Sequence, residues 1–283
     1  MEITASVVKQ LREKTGVGMM ECKSALTEAK GDLAEAEKIL RKKGLAAAAN
    51  KAGRATGEGV IAARVSDDGR LGILVEVNCE TDFAARGADF QGLVSEIADH
   101  VMHAEPAASA EALLDQPLHG AAGKTVRQRI GESVAKIGEN MQIPRFARFD
   151  ARAGGPAAIA TYLHTGSKIG VMIEAEVHGD AAGALRDVAM HIAAAAPRFV
   201  RREEVSQKVL DDEKEIAREQ ALKAGKPPQV VEKIVTGRME KYFGEACLLE
   251  QPFVKDPDKT VAQFLGDRAV VRRFARFVLG ESA

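Results

Sequence analysis

One unit is written into this chain twice. Displacing the sequence by 98 residues lays Ile61-Ala62 over Ile159-Ala160, Gly72 over Gly170 and Glu76 over Glu174. A duplicated unit restricts the chain to folds in which a segment packs against or beside its own copy. In each copy an apolar, β-branched run turns back on itself, at Asp67-Asp68-Gly69 in the first and Thr165-Gly166-Ser167 in the second, as a β-hairpin does. A helix follows on the apolar side, carrying Phe90, Val94, Ile97 and Ala98 in one copy and Leu185, Val188, Ala189 and Ile192 in the other. The pattern predicts a duplicated α+β core.

The segments outside the repeat are helical. Thr4 stands where it can cap a helix carrying Val7, Val8 and Leu11 that stops at Gly16; Met19 to Ala29 makes a second, stopping near Gly31. Asp32 caps a third, which Gly44 is expected to end, leaving the alanine- and lysine-rich stretch Ala46 to Ala55 as a tether. Later, Val205 to Lys223 and Pro228 to Phe243 form two helical patterns across Ala224-Gly225-Lys226-Pro227, the signature of an antiparallel helical hairpin. Its expected seam is Val209 and Ile216 on one arm against Val231, Ile234, Val235 and Tyr242 on the other. The chain then divides into a three-helix module and tether (1–54), a first repeat (55–153), a second repeat (154–197 with 248–283) and an inserted hairpin (198–247).

Charge and cysteine use exclude several classes of function. With 40 Lys+Arg against 41 Asp+Glu, no global field draws the chain to nucleic acid or anionic lipid, so recognition has to be local. Cys22, Cys79 and Cys247 are odd in number and far apart, which fits free thiols in a reducing compartment, the cytoplasm, better than disulfides or a zinc site. No stretch approaches the roughly 20 apolar residues of a membrane span. Nothing resembling GxSxG, HExxH or a kinase motif supports an enzymatic reading, and no cofactor is expected.

The two copies differ after their second strand. The first continues Glu76-Val77-Asn78-Cys79-Glu80-Thr81-Asp82-Phe83, with Thr81 or Asp82 as N-cap of a helical turn; the second continues Val177-His178-Gly179-Asp180 with no aromatic. Phe83 is therefore not demanded by the shared fold. A phenylalanine is ordinarily core, but one exposed on a turn is an anchor of the kind that dominates interfaces. Near the N-terminus, a Met19-Met20 pair after Gly16-Val17-Gly18 cannot easily bury both side chains in so small a bundle, so at least one belongs to an adaptable surface. Gly120-Ala121-Ala122-Gly123-Lys124-Thr125 ends like a phosphate-binding loop, but Leu118 occupies the first glycine's place. His100 and His103 share a helix face without a third ligand nearby, which favours a structural pair. Pro144-Arg145-Phe146-Ala147-Arg148-Phe149 and Arg273-Phe274-Ala275-Arg276-Phe277 alternate base and aromatic. That pattern suits a single-stranded RNA platform, or equally half-buried strands with arginines at their solvent face.

Thr81-Asp82-Phe83 after such a strand, together with Thr15-Gly16-Val17-Gly18-Met19-Met20-Glu21-Cys22-Lys23, resembles the bacterial elongation factor Ts family. Lys136-Ile137-Gly138-Glu139-Asn140, Met190-His191-Ile192-Ala193-Ala194, Gly237-Arg238-Met239 and Gln251-Pro252-Phe253-Val254 extend the resemblance over nearly the whole chain. It implies a ubiquitin-associated-like N-terminal module and a non-enzymatic exchange of guanine nucleotide on elongation factor Tu, which the factor would meet in its GDP-bound and nucleotide-free states. It implies that Thr81, Asp82, Phe83 and Ala84 push into the partner near its magnesium site, Ala84 standing where the family usually has a branched aliphatic. It further implies that Lys9, Arg12, Met19, Met20 and Lys23 grip a partner helix, that Lys51, Gly138 and His164 also face the partner, and that the helical hairpin is available for dimerisation. The rival reading is an RNA-binding or structural helical-hairpin protein whose working surface is the basic-aromatic strands.

Overall fold

The computed structural model describes residues 3–121, 123–179 and 181–281; Met1, Glu2, Ala122, Asp180, Ser282 and Ala283 lie outside the described residues. Helices α1 (Ala5–Thr15), α2 (Met19–Glu28) and α3 (Leu33–Lys51) come first, followed by strands β1 (Glu58–Val65) and β2 (Leu71–Cys79). Then come α4 (Asp82–Arg86), α5 (Ala88–His103), α6 (Ala110–Asp115), α7 (Val126–Ile137) and β3 (Met141–Asp150). The second copy holds β4 (Ala157–Leu163), β5 (Ile169–Val177) and α8 (Ala182–Ala195). The hairpin arms are α9 (Gln207–Lys223) and α10 (Pro228–Ala246), and the chain returns through β6 (Pro252–Phe253), β7 (Asp256–Thr260), α11 (Val261–Leu265) and β8 (Ala269–Val278). The class is α+β.

Each copy is a three-stranded antiparallel sheet, β1-β2-β3 or β4-β5-β8, with its long helix, α5 or α8, on one face. The opposite faces of the two sheets close on each other around Ile61, Leu74, Phe149, Ile159, Met172 and Phe277. The contact is reciprocal, and it explains which residues repeat. A Cβ on Gly72 would lie 2.6 Å from Ile159 Cγ2, and one on Gly170 would lie 2.6 Å from Ile61 Cγ2. Each glycine is thus the socket for the other copy's isoleucine. Glu76 and Glu174, both buried, accept from Arg145 Nε at 2.8 Å and Arg273 Nε at 2.7 Å. The same guanidinium groups cross the interface, Arg145 lying 4.5 Å from the ring centre of Phe277 and Arg273 lying 4.1 Å from that of Phe149. The basic-aromatic alternation of β3 and β8 therefore sets Phe149 and Phe277 into the seam between the copies, while Phe146 and Phe274 pack half-buried against the two helix-covered faces, so none of the four rings stands exposed for a base to stack on.

The duplication runs further than the 98-residue offset reveals. His100 on α5 and His191 on α8 are both buried; their Nε2 atoms lie 2.9 and 2.8 Å from the amide oxygens of Gln116 and Gln251. Their Nδ1 atoms accept from the backbone N–H groups of His119 and Val254. Each glutamine precedes a proline, and each copy continues to a capping box, Thr125 with Gln128 on α7 and Thr260 with Gln263 on α11. The inserted hairpin displaces the second half of the later copy, which hides this match from a single offset.

Two sequence expectations are corrected. Helix α3 does not stop at Gly44, so Ala46 to Lys51 is the end of a helix and not a tether. The reason is tertiary: a Cβ on Gly44 would lie 3.0 Å from the Gly131 carbonyl oxygen of α7, and one on Gly131 would lie 3.2 Å from Leu45 Cδ2. Glycine serves here for close backbone approach between α3 and α7 instead of for a left-handed cap. In the helical hairpin, the buried seam is Ala217 and Ala221 against Val231, Val235 and Met239, whereas Ile216 is half exposed. Alanines let the arms approach closely, rotating the larger side chain outward. The arms leave and rejoin the core at adjacent points, where Arg198 N and Phe199 N donate to Ala246 O at 2.8 and 3.1 Å.

Candidate partner-binding site

Phe83 lies on the five-residue helix α4 with 87% of its surface exposed. A ring in that state contributes almost nothing to the core, while its neighbours Ala84 and Ala85 are buried beneath the helix. So short a helix cannot hold itself, since nucleation fixes several residues for few hydrogen bonds. External groups fix it. The N-cap is Thr81, not Asp82: its hydroxyl accepts from Ala84 N at 3.2 Å. Asp82 instead pairs with Arg86 at 2.9 Å on the exposed face, an interaction of little energetic weight.

Support for Thr81 comes from the turn between α7 and β3. Gly138 ends α7 in the left-handed region, φ 89°, which turns the chain so that the Glu139 carboxylate faces the start of α4. Glu139 accepts from Glu80 N at 3.1 Å, Thr81 N at 3.0 Å and the Thr81 hydroxyl at 2.6 Å. In return, the Glu80 carboxylate accepts from Asn140 N at 2.6 Å, and this bond holds Glu80 below the usual carboxylate range, with Arg54 adding to the effect. Burial pushes the Cys79 thiol up to about 11, so it stays neutral and donates to Thr81 O at 3.2 Å.

The other sequence-predicted residues fall into three places. Met19 and Met20 are both exposed, at 48% and 73%, and Lys9, Arg12 and Lys23 are exposed with them on α1 and α2, while Cys22 and Val17 fill the small core behind. His164 is exposed in the turn between β4 and β5, its Nδ1 3.1 Å from the Tyr162 hydroxyl. That turn and α4 form two walls of one groove of about 440 Å³, lined on one side by Asp82, Ala85 and Arg86 and on the other by Leu163, Gly166, Ser167 and Lys168. Lys51 and Gly138 meet each other: the Lys51 ammonium donates to Gly138 O at 2.6 Å. A chain of contacts links the α1–α2 loop to this region, since Gly16 abuts the Lys136 side chain and Lys136 donates to Asp89 at 2.6 Å, at the start of α5.

The decoy motifs have structural employment. Lys124 of the phosphate-loop-like segment donates to Glu132 at 2.9 Å. Both His100 nitrogens are bonded, and His103 stacks on His119 at 5.0 Å.

A family model described as Elongation factor TS matches residues 80–281. The chain is 50% identical to the elongation factor Ts of Trichlorobacter lovleyi over 295 aligned positions, covering 99% of this chain and 94% of that protein. It is 48% identical to that of Syntrophotalea carbinolica, at 99% and 94% coverage, and 47% identical to that of Thioalkalivibrio sulfidiphilus, at 99% and 93%. The chain belongs to the elongation factor Ts family. Its place is thus among the factors of translation elongation, in protein biosynthesis. No helix among the described residues is long and apolar enough to cross a membrane.

For this family member, sequence reasoning found the exposed tools, Phe83 and the methionine pair, but missed how α4 is held. Glu80, Glu139 and Asn140 were visible only as motif letters. The signal available was one carboxylate in each of two separate turns, too common a pattern to single out before the fold brings positions 80 and 139 together.

Proposed function

We propose that the chain is a guanine-nucleotide exchange factor acting on elongation factor Tu, and that Phe83 is the wedge that loosens the partner's nucleotide. The observation that carries this is a large aromatic ring held almost fully in solvent on a braced helical turn, at a point where the second copy has none. Burying that ring in a partner would gain about 1.5–3 kcal/mol that the free protein forgoes. Mg²⁺ on a bound nucleotide demands near-ideal octahedral geometry at about 2.0–2.1 Å, so a displacement of the ligating loops by about an ångström removes much of the nucleotide's affinity. Reciprocity follows: what weakens nucleotide must itself be weakened by nucleotide, so GTP completes the cycle by displacing the factor from the empty partner.

In this reading Thr81, Asp82 and Phe83 form the wedge, with Ala84 buried beneath it as backing and not as a contact surface, and Lys9, Arg12, Met19, Met20 and Lys23 grip the partner's nucleotide-binding domain. His164 adds a contact across the groove, and Lys51 with Gly138 joins the grip to the wedge support. Residues 1–54 supply affinity, 55–153 the wedge, 154–197 with 248–283 its buttress, and 198–247 self-association. The factor forms and breaks no covalent bond. Mixing the chain with elongation factor Tu loaded with fluorescent GDP tests the reading: release should accelerate with factor concentration and saturate. Release at the spontaneous rate, at any concentration, refutes it.

A further inference from the structure

We infer that Glu139 is a positioning residue for exchange, fixing the direction in which Phe83 points; the inference rests on the wedge reading. Three donors converge on its carboxylate, two backbone N–H groups and the Thr81 hydroxyl. The hydroxyl proton can go to only one acceptor. By drawing it at 2.6 Å, Glu139 leaves a Thr81 lone pair for Ala84 N–H, the capping bond that starts α4. The relay runs from carboxylate to hydroxyl to helix, and Phe83 stands on that helix.

The comparison between copies singles out this brace independently. In the second copy, the positions in register with Glu80 and Asn140 are His178 and Arg268, and there His178 N donates directly to Arg268 O at 2.9 Å. The copy without a wedge closes its sheet corner with a backbone bond, whereas the copy with one closes it through two side-chain carboxylates. A ring that must displace another protein's groups gains nothing from a soft mount, because any yielding of α4 would spend the push. Bonds of a carboxylate to N–H and O–H groups are the strong members of their class. Their loss on this exposed corner leaves donors that water can satisfy, so the fold survives.

A double-mutant cycle on the full chain tests this, with Glu139→Ala, Phe83→Ala and the pair, using stopped-flow release of fluorescent GDP from elongation factor Tu. Glu139→Ala is expected to lower the saturating release rate about tenfold, the worth of one such bond, and to leave the half-maximal concentration within about twofold. In the Phe83→Ala background it should change nothing further. Glu139→Gln, which keeps one acceptor oxygen and can donate to the Thr81 hydroxyl, should recover much of the rate, which a general loss of stability would not explain. Full additivity of the two substitutions, or an unchanged rate in Glu139→Ala while Phe83→Ala is slow, overturns the positioning role and leaves the wedge standing. Normal exchange by Phe83→Ala overturns both. Should Glu139→Ala not fold, the cycle is run with Glu139→Ser, whose shorter side chain cannot reach the Thr81 hydroxyl, against the same criteria.

Discussion

Replacing Gly44 by valine should detach the N-terminal helices from the core while both remain folded. In an isolated helix the change would be favourable, since glycine costs about 0.8–1.0 kcal/mol relative to alanine and a valine somewhat less than glycine. The structure reverses the sign. The new Cβ would sit 3.0 Å from the Gly131 carbonyl oxygen, a backbone atom fixed inside α7, and the two γ-carbons extend further into the same space. Neither helix can yield locally, so α3 and α7 must separate, and overpacking of this kind costs about 1–3 kcal/mol. That cost falls on docking, because the core of α1 to α3 is built from Val8, Leu11, Cys22 and Leu26 on α1 and α2 and from Ala36 and Leu40, two turns and one turn before Gly44 on α3. If the docked arrangement is the one competent to grip the partner and drive the wedge together, apparent affinity falls with its population, by up to about 5–150-fold for that range.

Titrating elongation factor Tu loaded with fluorescent GDP against the Gly44→Val variant gives the half-maximal concentration. Amide exchange along α3 and α7 reports the docking itself. Expected is a raised half-maximal concentration with a saturating rate close to that of the unaltered chain, and faster exchange confined to the α3–α7 contact. If protection at that contact is lost and the half-maximal concentration does not move, the docked geometry is irrelevant to partner binding and the reasoning is refuted.

Phe83→Ala should leave the melting temperature within a degree or two, because the ring is 87% exposed, yet slow GDP release about 30-fold, the loss typical of an interface anchor of about 2 kcal/mol; an unaltered rate would count against the wedge. Replacing Val205 to Ala246 with a short Gly-Ser linker should preserve the core and exchange, since the hairpin's ends already meet at the Phe199–Ala246 hydrogen bond and each doubling of loop length costs only about 0.6 kcal/mol. Light scattering on that deletion should show loss of any self-association, and a folded variant without exchange would relocate part of the active surface to the hairpin. Stability should fall as pH drops below about 6.5. Burial keeps His100 and His191 neutral in the fold to lower pH than in the unfolded chain, so the unfolded state binds the extra protons, at about 1.4 kcal/mol per pH unit for each site in that window. Urea midpoints at pH 7.5 and 5.5 measure this, and a flat profile would mean that the imidazoles take up protons as readily in the fold as in the unfolded chain.

The sequence by itself determined the elements whose causes are local. Gly16 at φ 68° ends α1, Gly138 at φ 89° ends α7, and Asp32 and Thr125 cap α3 and α7, because caps and turns are settled by a residue and its near neighbours. The duplication was legible too, and with it the argument that Phe83 serves something other than the fold. What only the tertiary structure decided are the features made by two distant segments meeting. Gly44 is the same letter as any helix-ending glycine, and only Gly131 across the contact makes it a helix interior. Ile216 and Ala217 are one residue apart, and the partner arm's side chains choose which of them is buried. The arginines of β3 and β8 suit an RNA surface as well as a seam until Phe149 and Phe277 arrive from the opposite copies. The helical turn that exposes Phe83 is local, but its support is not: the Thr81 hydroxyl that caps it is held by a carboxylate 58 positions further along, which the chain can bring to Thr81 only by completing α7 and turning into β3.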